Sequence, residues 1–247
     1  MNRFRQQIGT RLLYQGLTAP RFPSIGTRGM MNLMVSLERP RLRGVFHQYA
    51  FFVALVAGLV LVILADSFRE RLAMWVYAVA LAAMFGVSAL YHRVTWRSPR
   101  VRRWMRRLDH STILLLIAGT YTPFVVLTFD GVLANAILVV VWSGAGAGLL
   151  LNLLWVDAPT WVTAAVFMAL GWVGVVTVPE LVDVGIAPAV LVFVGGGLYS
   201  LGALAYALKR PNPRPAVFGY HEVFHLLVVA AAAVHFIAIA AFVLPAS

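Results

Sequence analysis

Seven uninterrupted apolar runs restrict this chain to one kind of solvent. They lie at about 45–65, 72–92, 110–129, 132–154, 160–178, 187–208 and 221–243, each close to the roughly 20 residues a helix needs to cross a bilayer. Lipid offers no partner to a backbone N–H or C=O, so a spanning segment must be helical or belong to a closed barrel. Barrel strands alternate apolar and polar residues, and these runs do not. Composition agrees, with 61% hydrophobic and 12% charged residues against roughly 25% charged in a soluble domain. The expectation is an all-α integral membrane protein: a seven-transmembrane helix bundle over 45–247, multi-pass in the cell membrane and in contact with membrane lipid, with no second domain.

The net charge of +11 would suggest nucleic acid in a soluble protein; here it marks topology, and no nucleic-acid partner is expected. Eight arginines precede the first run, seven lie in "RVTWRSPRVRRWMRR", and three basic residues lie in "KRPNPRP". The other side has only Arg69 and Arg71, with Asp66, Glu70, Asp130, Glu180 and Asp183. The positive-inside rule therefore places the N-terminus in the cytoplasm and the C-terminus outside. Residues 1–44 form a basic arm, read as a poorly ordered cytoplasmic segment; a transit peptide has similar composition, and an interfacial segment is the other alternative. The chain has no cysteine, so a transition-metal site must use nitrogen and oxygen ligands.

With the topology set, the polar residues fall into place by depth. His92 ends the second run in "SALYH", Asp109 opens the third in "RLDHSTILLL", and His221 and His225 open the seventh in "HEVFH". All four lie at the cytoplasmic level. On a helix, His221 and His225 differ by about 40° and one turn, so both imidazoles can reach one ion. Ser88 and His92 share that relation. Three imidazoles plus water match a zinc site with an open fourth position. Asp109 could then hold that water or bind the metal directly, and Ser88 could orient a substrate. Each residue also has an ordinary reading: interfacial polarity for His92, an ion pair with Arg106 or Arg107 for Asp109, packing or back-bonding for Ser88. Their coincidence at one level favours a shared site, because ionisable groups within a membrane are costly.

The motifs "SALYH", "RLDHSTILLLIAGTYTP" and "HEVFH", in that order and on one side, together with the opening "RPRLRGVFH", resemble the hemolysin III branch of the progestin and adipoQ receptor family. The resemblance implies a seven-helix fold with a cytoplasmic N-terminus. It also implies a zinc ion held by His92, His221 and His225, with Asp109 contacting the metal through water and Ser88 beside it. Alkaline ceramidases have a similar site, which implies amide hydrolysis as a chemistry of the wider group, and the expectation is a zinc-dependent hydrolase acting on a lipid amide or ester. A receptor or sensor with a structural zinc is the alternative, and a pore-forming hemolysin the third. No polar stripe runs through all seven runs to support a pore.

"HEVFH" also matches the zinc-protease pattern H-E-x-x-H, with Glu222 as base. An intramembrane protease of that kind needs a distant aspartate, and the nearest match, Asp130 in "TFDG", falls on the opposite face, about 30 Å of hydrocarbon away. Glu222 is expected instead to pair with a neighbouring helix or face the polar boundary. His235 is expected to hydrogen-bond another helix or line a polar cavity beneath the metal; His110 is read as structural, and nothing in the sequence supports a metal role for His47. Gly144 and Gly148, at GxxxG spacing, and the glycines of "GGGLYSLGA" offer close-packing surfaces to a helix of this chain or of a second subunit. Pro123 is expected to kink the third span. Substrate and oligomeric state are not legible.

Overall fold

The computed structural model describes residues 40–155 and 157–246, so the expected basic arm lies outside the described residues as far as residue 39. Seven helices are long and apolar enough to cross a membrane: α1 (Val45–Leu64), α2 (Phe68–Arg93), α3 (Pro99–Thr128), α4 (Gly131–Leu154), α5 (Thr160–Val184), α6 (Ile186–Leu208) and α7 (Tyr220–Val243). The chain is thus a seven-helix membrane protein. Among the described residues there is no strand, only an isolated bridge between Arg214 and Phe218.

Local signals account for the helix starts. Ser67 caps α2 by accepting from the Glu70 N–H at 3.1 Å, while Glu70 reaches back to the Asp66 N–H at 2.9 Å, a reciprocal arrangement that satisfies backbone donors on both sides of the cap. Ser98 caps α3, and Pro99 occupies its first turn, where its missing N–H costs nothing. As a result α3 begins about three turns before the apolar run at 110. The arginine-rich "PRVRRWMRR" is helical too, which a hydropathy scan does not register. The helix then continues through Pro123 to Thr128.

Neighbours in sequence pack side by side from α1 to α4, α5 packs on α6 and α6 on α7, and α7 returns to α1. Helix α3 is central, touching α2, α4, α5 and the end of α7. One apolar core joins Leu61, Tyr77, Met84, Leu116, Phe224 and Val228; a second, on the other side of α3, joins Leu114, Val125, Ile137, Val141 and Leu170. The outward faces, such as Phe52, Val56 and Ile63 of α1, are exposed and apolar, as lipid contact requires.

Glycine lets some of these helices approach closely. A Cβ on Gly58 of α1 would meet the Ala78 Cβ of α2 at 2.7 Å. Gly144 abuts Leu170, and Gly148 abuts Leu114, so the GxxxG pair of α4 serves contacts within this chain, one glycine facing α5 and the other α3. In α6, Gly195 faces His235 and Gly202 faces Phe224, whereas Gly196 and Gly197 meet nothing.

Helix α5 changes pitch in mid-membrane: Trp172–Thr177 is a 3₁₀ segment. Irregular backbone at that depth needs internal partners. The Tyr121 hydroxyl supplies one by donating to the Gly171 carbonyl at 2.6 Å, and Thr177 donates to the Gly174 carbonyl at 2.6 Å. Beside this segment lies an apolar cavity of about 140 Å³, bounded by α2, α3, α5, α6 and α7.

Candidate metal centre

Three helix ends bring the polar residues together. His92 sits in the last turn of α2, Asp109 in the third turn of α3, and His221 and His225 in the first two turns of α7. The Nε2 atoms of His92 and His221 are 3.2 Å apart, and the His221 and His225 ring centroids 4.6 Å. One ligand atom from each of His92, His221 and His225 lies within 4.8 Å of the others. Asp109 Oδ2 is 3.6 Å from His92 Nε2, with both side chains more than nine-tenths buried. Ser88, 3% exposed, lies one turn before His92 in α2 and lines the same small cavity as Asp109. The cluster is one that could hold a metal ion.

Beneath it is a second cavity, about 20 Å³, bounded by His47, Ser88, Asp109, His110, His221 and His225 among others. That volume accommodates about one water molecule. Met84, Ile113, Phe167, Phe224 and Val228 border both this cavity and the larger apolar one. The polar cluster therefore adjoins the apolar cavity, with these five side chains bordering both.

The remaining polar residues divide. Glu222, fully buried, pairs with Arg43 at 2.6 Å through Oε1 and accepts the Gly219 N–H at 2.8 Å through Oε2. It thus ties the start of α7 to the segment leading into α1, where the Arg41 and Leu42 N–H groups also donate to the Ala216 and Val217 carbonyls. Asp130 is 96% exposed at the opposite end of α3 and faces Arg69. Being 21 positions beyond Asp109, it lies roughly 30 Å away along the helix, so the aspartate of "TFDG" does not meet the histidines. His235 hydrogen-bonds another helix, donating to the Val192 carbonyl at 3.3 Å, and the cavity it lines is the larger, apolar one rather than a polar one. His110 lines the small cavity.

His47 is the residue that sequence reasoning missed. It is 2% exposed, and its ring stacks on His225 with centroids 3.8 Å apart and planes 7° from parallel. No spacing along the chain announced it, because the contact depends on α1 lying beside α7.

The profile of the family described as "Haemolysin-III related" matches residues 35–236. The chain belongs to this family, in the hemolysin III branch to which the three motifs pointed. The "Hemolysin-3 homolog" of Bacillus subtilis (strain 168) is 27% identical over 207 residues, covering 82% of this chain and 93% of that protein. The "Hemolysin-3" of Bacillus cereus is 27% identical over 223 residues, covering 89% and 98%. The human "Monocyte to macrophage differentiation factor" is 27% identical over 197 residues, covering 78% and 79%.

Proposed function

We propose that the cluster binds zinc through His92, His221 and His225, and that the protein hydrolyses a lipid amide or ester at the cytoplasmic side. The observation that carries the metal reading is the 3.2 Å separation of the His92 and His221 Nε2 atoms. Ligands at about 2.0–2.1 Å from a tetrahedral ion stand roughly 3.3–3.4 Å apart, so the two imidazoles already stand near the edge length of such a site. The donor set suits zinc, which takes imidazole readily. The cytoplasmic assignment rests on the eighteen-to-two division of basic residues.

Bound there, zinc would supply Lewis acidity and lower the pKa of a bound water. Asp109, facing His92 across the cluster, would hold a water by a hydrogen bond and accept its proton. Ser88 donates to the oxygen of the scissile carbonyl. In hydrolysis the water oxygen would add to the substrate carbonyl carbon, the C–N or C–O bond would break, and Asp109 would pass the water's proton to the leaving amine or alcohol. The adjoining apolar cavity supplies space for a lipid chain.

A receptor reading draws on a different aspect of the same geometry. His92 and the pair on α7 come from helices far apart in sequence, so an ion shared between them would fix the position of α2 against α7, and a ligand in the apolar cavity could shift it. Incubating protein reconstituted in vesicles with N-acyl amides and acyl esters separates the two. Release of fatty acid that is lost in Asp109→Asn supports the hydrolase; zinc-replete protein that releases none supports the receptor.

A further inference from the structure

We infer that His47 is a positioning residue for the histidine cluster, holding His225 in place by the face of its ring. This rests on the metal-site reading above. A ligand imidazole is ordinarily oriented through its second nitrogen, which donates to a carboxylate, a carbonyl or water. Among the described residues no group hydrogen-bonds the buried His225 Nδ1. What orients this ring is contact across its plane: the His47 ring lies parallel to it at 3.8 Å.

The rest of the His47 environment fits that role. The flat face of the side chain makes its closest ring contact with His225, at 3.8 Å and 7° from parallel. Phe85 of α2 stands edge-on to His47 with centroids 5.2 Å apart, backing the ring. In the turn that leads into α1, Arg43 pairs with Glu222, which lies between the two histidines of α7. Gly44, at φ 77°, abuts His92 so closely that a Cβ there would meet the His92 Cβ at 2.6 Å. Helix α1 contributes none of the three proposed ligands, yet its first turn bears on ligand-bearing positions of both α2 and α7. His225 is the ligand it controls directly.

Zinc affinity of the full chain in detergent, measured by competition with a chromophoric chelator, tests this together with the visible spectrum of the cobalt-substituted protein. His47→Ala and His47→Leu remove the stacked ring, Leu while keeping most of its volume, and are expected to weaken zinc binding about 10- to 100-fold, the usual effect of losing a group that orients a ligand, with an altered cobalt spectrum. His47→Phe restores a flat ring without nitrogens and is expected to bind like the parent. If His47→Ala does not fold, His47→Leu against His47→Phe carries the comparison. Parent-like binding and spectra in folded His47→Leu would overturn the inference, as would His47→Phe binding as poorly as His47→Leu. A parent that takes up no zinc would overturn the metal-site reading itself, and this inference with it.

Discussion

Replacing Glu222 with Gln separates a structural role for this residue from the protease role its motif suggests. The carboxylate is fully buried, 2.6 Å from Arg43 and 2.8 Å from the Gly219 N–H. Gln keeps an oxygen for the N–H but removes the charge, leaving a guanidinium whose side chain is 22% exposed without its counterion. Breaking a buried ion pair from one side costs about 3–5 kcal/mol, and the partial exposure of Arg43 argues for the lower end, about 3 kcal/mol. For a chain of this size that corresponds to an apparent unfolding temperature lower by roughly 6–12 °C. Thermal unfolding in detergent, followed by circular dichroism, measures it. Arg43→Met combined with Glu222→Gln should recover part of the loss, because no buried charge is then left alone. Unfolding of Glu222→Gln within a degree or two of the parent, with hydrolysis abolished, would refute the structural assignment and return Glu222 to a catalytic role.

Further outcomes follow from the same geometry. Gly58→Val should push α1 away from α2, costing about 1–3 kcal/mol as overpacking, whereas Gly146→Ala, which meets no neighbour, should be neutral or stabilise by up to about 1 kcal/mol; thermal unfolding of the two variants compares them. Tyr121→Phe should strand the Gly171 carbonyl of the 3₁₀ segment, costing about 1–3 kcal/mol and speeding amide exchange along Trp172–Thr177. Asp109→Asn should weaken zinc binding by about 10- to 100-fold as a lost outer partner of the site, while Asp130→Asn, at the far end of α3, should leave zinc binding unchanged. Equal effects of these two aspartates on metal content would contradict the placement of the site.

Seven spans were legible because lipid imposes a requirement that hydropathy records directly. The same rule hid what is helical without being apolar: the arginine-rich first turns of α3 extend the helix beyond the run at 110. It also missed the pitch change in α5, since Trp172–Thr177 is as apolar as its neighbours and only the Tyr121 hydroxyl reveals that its backbone needs a partner. For the site, helix spacing and alternating topology were enough to bring His92, Asp109, His221, His225 and Ser88 to one level. Lateral neighbours were not legible. That α1 lies beside α7 is a tertiary fact, so the stacking of His47 on His225 and the pairing of Arg43 with Glu222 could not be read from the chain. Gly144 and Gly148 illustrate the same limit: their spacing announced close packing, and only the fold shows one facing α5 and the other α3.

The central claim, that His92, His221 and His225 share one zinc ion, is tested most directly by the metal content of the detergent-purified protein. Elemental analysis of the parent should give zinc near one equivalent per chain, and folded His92→Ala and His225→Ala variants should each lose it. A folded parent that carries no zinc and takes up none when it is added, or variants that retain it in full, would contradict the account.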